Sequence, residues 1–393
     1  MLEEKQKLKN NKKKSGTWQT LIGMAVLFLA GGAGGFVIAQ YIDFEINSGR
    51  SLSEKLILIG CKLLLFGIAI YVQLVIHEAG HLFFGLLTGY QFSSFRIMSF
   101  MWVKEDGKIR LKRLEIAGTG GQCLMAPPDF NDGKYPVALY NFGGSFMNAV
   151  TAVLFFLLYQ VCRPYVLISA FFLFLAVFGF VFAILNGVPM RMGTIDNDGY
   201  NAFSISRGRE ACFAFWVQMK INEQVSKGVR LQDMPEEWFE VPPEEHMKNS
   251  MVAAQGVFAC GRLMDMHRFE EADKLMEYLL EIDSGMVDLH RGLMVCDRMY
   301  VELIGKNRQD VLDQMFTKKQ KGIMKSMKNY PSVLRTEYAY ALLGKQNAQA
   351  ADSFLAKFEK YAKSFPYPNE IASERELMEI AKAHGQERVK VKG

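Results

Sequence analysis

The sequence predicts a mainly α protein in two parts. The first is a polytopic, four-helix transmembrane domain with a small cytosolic or re-entrant β-hairpin sheet; the second is a soluble α-helical, repeat-like domain. Three observations predict this. Half of the 393 residues are hydrophobic, with 30 Phe and 22 Met, yet nearly all the apolar excess lies before residue 190 and most charge after 205. Four segments reach the length of about 20 residues needed to cross about 30 Å of hydrocarbon. The C-terminal part repeats a helix–turn–helix pattern. Such sorting excludes a single soluble globule, and so apolar a chain is not expected to be disordered.

The basic N-terminus, residues 1–17, places six Lys between positions 5 and 14, directly before the first apolar run. Beside a membrane segment such a cluster sets topology or meets anionic lipid. Nucleic-acid binding needs basic residues spread along a groove with aromatics between them, so no nucleic-acid partner is expected. The six Cys are scattered without a C-x-x-C, which points to neither a disulfide framework nor a thiolate metal site. The first apolar run is too long for a signal-peptide core and is expected to be retained.

Spans are expected at about 18–42, 56–88, 137–161 and 165–186. The Gly31–Gly35 spacing in the first suits close helix packing. Lys62 falls near the outer end of the second, where it can snorkel to the interface. The 90–135 connection carries seven Lys/Arg, so it, both termini and everything after 186 are placed in the cytosol. The expected setting is a cell membrane, crossed several times, of a bacterium.

Within the hairpin region, 90–126, Phe92–Lys104 and Lys108–Ile116 read as extended and flank Glu105-Asp106-Gly107. Asp-Gly is a tight-hairpin signal. A third extended piece runs from Ala117 to Met125 and contains Gly118, Gly120 and Gly121. Glycines in a strand mark close approach of another backbone.

The second span contains His77-Glu78-Ala79-Gly80-His81, an H-E-x-x-H on a helix. Positions i and i+4 share a face, so His77 and His81 can hold one zinc ion, with Glu78 beside it as general base. Ionisable residues inside a membrane helix are costly and point to function. A catalytic zinc needs a third protein ligand and an open position. No third His precedes residue 246, so a carboxylate is expected. Of the three Asp-Gly pairs, at Asp106, Asp132 and Asp198, the first lies in the hairpin turn and the second in a polar loop. Asp198 follows the fourth span, whose end shares the cytosolic side with the end of the second.

H-E-x-x-H in a membrane helix, followed two spans later by Asn186-Gly187-Val188-Pro189 and Asp198-Gly199, resembles the site-2 protease family of intramembrane zinc metalloproteases (the M50 class). Gly144-Ser145-Phe146-Met147-Asn148 resembles the family's G-x-x-x-N motif, and the resemblance covers about residues 55–200. It implies that 18–200 is the protease domain, that His77, His81 and Asp198 bind Zn2+, and that Glu78 is the base. It further implies that Asn148 and Asn186 contact substrate and that the strand with Gly118, Gly120 and Gly121 pairs with an unwound substrate. The implied activity is cleavage of transmembrane segments of membrane-bound regulators, or of signal-peptide remnants, near the cytosolic face. Eight residues separate Pro189 from Asp198, where the family's commonest form has four, so Asp196 is a rival ligand. No PDZ or CBS pattern is present.

Residues 201–246 read as a helix, Phe203–Lys227, and a linker, Leu231–Glu245. Residues 247–393 read as a cytosolic domain similar to tetratricopeptide helical pairs. Asp265–Leu275, Gly305–Met315 and Gly344–Phe354 align at offsets of 40 and 39, with Ala272, Leu312 and Ala351 equivalent. Such stacked hairpins can present a face to a protein regulator. Two alternatives stay open: a membrane scaffold, or pseudoprotease, acting through this helical domain, and a metal transporter using the same His and Asp.

Overall fold

The structure, a computed structural model, describes residues 46–392 except 106, 131–134 and 192–194, together with scattered positions before 46. The basic N-terminus and most of the expected 18–42 span lie outside the described residues. So do Asp106 and Asp132. Of the first span, a Cβ on Gly31, Gly32, Gly34 or Gly35 meets nothing within 4 Å. The packing expected of the Gly31–Gly35 spacing is therefore not made among the described residues.

The chain forms two compact units, Met1–Gly89 with Pro136–Phe203 and Tyr90–Tyr135 with Ser204–Gly393. The first contains α1 (Leu52–Leu87), α2 (Ala138–Val161), α3 (Val166–Gly187) and the start of a short α4 (Asp198–Ile205). The first three are each long and apolar enough to cross a membrane. Ser51 begins α1 with a capping box: its hydroxyl accepts from Glu54 N at 3.4 Å and the Glu54 carboxylate accepts from Ser51 N at 3.0 Å. Pro189, two residues beyond α3, cannot continue that helix.

The three long helices pack around Ala69, Ala170, Phe174 and Leu175, where Phe66 meets Phe174 and Phe178 edge-on at 5.7 and 4.8 Å. Outward, Leu56, Ile57, Leu64, Leu157 and Ile168 stay exposed. So large an apolar face suits lipid rather than water. Helix α1, with 36 residues, is about 54 Å long at about 1.5 Å per residue and overreaches the hydrocarbon. Lys62 does not snorkel: it is only 3% exposed, folded into the unit.

The second unit holds an antiparallel sheet of order β3-β2-β1-β4, built from β1 (Gln91–Ile97), β2 (Phe100–Glu105), β3 (Lys108–Arg113) and β4 (Gly121–Ala126). The Asp-Gly hairpin forms as expected, with Glu105 opposite Lys108 and Gly107 at φ 76°. The expected single strand Phe92–Lys104 is instead two strands, folded back at Met98–Ser99. Met98 takes the left-handed φ of 53°, and Arg96 Nη1 donates to its carbonyl at 2.7 Å. Gly118 and Gly120 lie in the turn before β4, Gly121 opens the strand, and β4 is an outer strand.

Met101, Val103 and Met125 turn inward from this sheet and are fully buried. The sheet belongs with the C-terminal helices rather than with the spans, where the sequence reading placed it. Arg113 N donates to Ser364 O at 2.8 Å, Glu115 N to the Tyr361 hydroxyl at 3.4 Å, and Trp216 Nε1 to Pro128 O at 2.9 Å.

Helix α5 (Arg209–Ser226) follows, then the segment expected to be a linker. That segment is packed: Met234 and Phe239 enter a core with Val217, Ile221 and Ala259. Prolines block regular helix there, yet the apolar residues between them still seek burial.

The remaining helices are α6 (Ser250–Asp265), α7 (Phe269–Glu281), α8 (Asp288–Ile304), α9 (Gln309–Met315), α10 (Lys318–Ser326), α11 (Pro331–Ala339), α12 (Ala348–Ala362) and α13 (Pro368–Lys392). All three repeat junctions are helix–turn–helix. Each has one left-handed residue, His267, Asn307 or Gln346, with φ of 57°, 54° and 51°. Ala272, Leu312 and Ala351, equivalent in the sequence, are all fully buried.

Candidate metal centre

Helix α1 carries Gln73, His77 and His81 at i, i+4 and i+8, one stripe along the helix turned toward α2 and α3. His77 and His81 are both nearly buried, at 5% and 7% exposure. Asp198, the first residue of α4, brings its carboxylate to both rings. Its Oδ2 lies 2.9 Å from His77 Nε2 and 3.2 Å from His81 Nε2, and the two Nε2 atoms are 3.2 Å apart.

The remaining ring nitrogens fix the protons. His77 Nδ1 donates to Asn148 Oδ1 at 2.7 Å, and His81 Nδ1 donates to the Tyr140 carbonyl at 2.7 Å. With both Nδ1 atoms committed to these acceptors, both Nε2 atoms face Asp198. Ligands orient by such secondary bonds. Asn148 is itself fixed: its Nδ2 donates to Gln73 Oε1 at 2.7 Å and to Gln73 O at 3.0 Å. Gln73 Nε2 in turn donates to Leu175 O on α3 at 2.8 Å. One chain of amides thus ties three helices to one imidazole.

Close backbone approach makes this possible. A Cβ on Gly80 would stand 2.4 Å from Gly143 O, so α1 and α2 touch through glycines. A Cβ on Gly144 would stand 2.6 Å from His77 Cε1. The G-x-x-x-N pattern is therefore a working unit here. Gly144 lets α2 lie against the ring, and Asn148, one turn on, holds its Nδ1.

Two imidazoles and a carboxylate suit a divalent ion. Ligand atoms of a tetrahedral zinc with bonds of about 2.0–2.1 Å sit roughly 3.3 Å apart, close to the separations found here. Glu78, 6% exposed, is buried beside the two His and is not one of the three converging groups.

The rival Asp196 is held elsewhere. It pairs with Arg191, whose Nε donates to Oδ1 at 3.4 Å, and the two residues form a β-bridge. Asn148 is fully buried against Gln73 and His77, and Asn186 donates to Phe182 O of its own helix at 3.1 Å. Gly118, Gly120 and Gly121 lie in the other unit: Gly120 O accepts from Met98 N at 2.7 Å, and Gly121 O from Arg96 Nη2 at 3.2 Å.

Sequence reasoning missed Gln73, although its i, i+4, i+8 spacing with the two His was a usable signal. It also missed the Tyr140 carbonyl, which no side chain advertises. No family model, no curated protein and no solved structure matches this chain.

Proposed function

We propose that this chain is an intramembrane zinc endopeptidase that cleaves transmembrane segments of other proteins. The observation that carries the reading is the convergence of His77, His81 and Asp198 within a bundle of helices apolar enough to cross a membrane. A buried ionisable cluster of that kind is expensive and needs a chemical reason. A transmembrane scaffold gains nothing from two buried imidazoles whose Nε2 atoms converge on one carboxylate.

His77, His81 and Asp198 would hold the ion through Nε2, Nε2 and Oδ2. When bound, zinc supplies Lewis acidity that polarises a carbonyl and acidifies water to a pKa of about 7. Glu78 takes a proton from the attacking water and returns it to the leaving amine. The buried surroundings strengthen each of these charges by excluding bulk water. A helical substrate must first unwind, since its carbonyls are already hydrogen-bonded. Membrane-held regulators and signal-peptide remnants are the substrates in view, and the helical unit is the place for a protein regulator.

In topology, four spans with 18–42 as the first place both termini in the cytosol. An impermeant thiol reagent should then reach Cys162 in intact cells but Cys212 only after permeabilisation; the reverse pattern inverts the orientation.

The deciding experiment measures zinc content and cleavage for the wild type and Glu78→Gln, using the variant as a trap for substrates that co-purify. The expected result is zinc in both and a loss of turnover of about 10²-fold or more in the variant. Equal cleavage by the two, or no zinc in the wild type, would favour a scaffold.

A further inference from the structure

Eight residues separate Pro189 from Asp198, and the chain has to come back to the two His rings with a fixed aim. A loop of that length has many conformations, and fixing each residue costs about 1–2 kcal/mol of backbone entropy. Something has to hold its end. The Arg191–Asp196 bridge closes the neck of the loop.

Beyond that bridge one side chain does the rest. Asn197 is 7% exposed. Its Nδ2 donates to Leu185 O and to Val188 O, each at 2.7 Å. Its Oδ1 accepts from Met190 N and from Tyr200 N, each at 2.9 Å. An amide has two donor hydrogens and two acceptor lone pairs, so every one of them is used.

The partners have a common meaning. Leu185 and Val188 offer carbonyls from the end of α3, where helix carbonyls lack intrahelical partners. Tyr200 N belongs to the first turn of α4, and Asn201 N donates to Asn197 O at 2.9 Å. Asn197 is therefore the N-cap of α4 and at the same time closes the C-terminus of α3. Asp198 is the next residue. Gly199 lets the two helix ends meet, since a Cβ there would stand 2.4 Å from Gly187 O.

We propose that Asn197 is a positioning residue of the cation centre: by capping two helices at once it fixes the backbone from which Asp198 reaches His77 and His81. The inference rests on the reading of Asp198 as third ligand. It predicts that the clamp, not the length of the loop, sets the affinity of the site. Asn197→Asp is the diagnostic change. It keeps both acceptor bonds but loses both donors, and it sets a carboxylate against the Leu185 and Val188 carbonyls.

The test uses the full chain in nanodiscs, with zinc affinity read by competition against a chromogenic chelator. Visible absorption of the cobalt(II) form reports the ligand set. Asn197→Ala and Asn197→Asp should each weaken zinc by about 10–100-fold and reduce the tetrahedral cobalt bands. Asn197→Ser, a competent N-cap, should recover part of both. Asp196→Asn should stay near wild type, and Asp198→Asn should lose the bands. Wild-type affinity and bands in Asn197→Ala and Asn197→Asp, with Asp198→Asn impaired, would overturn the inference and leave the ligand assignment standing. Unchanged binding in Asp198→Asn would overturn the assignment itself, and the inference with it. Should Asn197→Ala fail to fold, Asn197→Ser and Asn197→Asp decide alone.

Discussion

One nitrogen of an imidazole can bind a cation only while the other keeps the proton. At His77 that condition rests on Asn148, and at His81 on a backbone carbonyl that no substitution can remove. The two rings therefore differ in their exposure to mutation. Asn148→Ala should lower zinc affinity by about 10–100-fold, because an unanchored His77 can switch tautomer and present Nε2–H to the ion. Asn148→Asp keeps an acceptor at the same place and should retain most of the affinity. Chelator competition separates the two outcomes, and equal loss in both variants would show that packing, not the proton, matters. At this scale the motif residues were legible because H-E-x-x-H has a fixed helical geometry. The roles of Asn148 and Gln73 were not, since which acceptor an amide meets depends on helices distant in sequence.

Helices α1 and α2 approach one another through glycine, so a single methyl group is felt at the centre. Gly144→Ala would place a Cβ 2.6 Å from the His77 ring, too close for any real contact. The helix or the ring has to move. The expected outcome is loss of bound zinc with helical content by circular dichroism unchanged; retained zinc would show that the ring has room to turn. At the scale of elements three of the four expected spans were legible from length and apolarity, and the Asp-Gly hairpin from its turn chemistry. The break at Met98–Ser99 was not. A left-handed Met carries no turn signature, and the bond that holds it comes from Arg96. The burial of Met234 and Phe239 within 231–245 was hidden for a related reason: prolines announce the end of a helix, not where the chain packs next.

For the whole molecule, the second unit carries a pH signature of its own. Burial, together with the like charges of Glu374 and Asp265, pushes the Glu370 carboxyl from 4.5 up to about 8. A raised carboxyl keeps its proton in the folded state, so its contribution is complete below about pH 4.5 and is lost as pH rises toward 8. Glu370→Gln, neutral at every pH, should flatten this slope and melt about a few degrees higher than wild type at pH 8.5, with little difference at pH 4.5. Parallel melting curves for the two proteins across that range would refute it. The two-part character of the chain was legible from its composition. The assignment of the sheet was not, because two of the groups that bond the end of β3, Tyr361 and Ser364, lie more than 240 positions downstream. That separation bears on biogenesis. Residues 90–135 leave the ribosome long before the helices that complete them, so an unfinished sheet has to wait through the synthesis of two further spans. A chain shortened ahead of Tyr361 would keep the His77–His81–Asp198 cluster yet leave the end of β3 without its Tyr361 and Ser364 bonds, and quality-control proteases should clear it first.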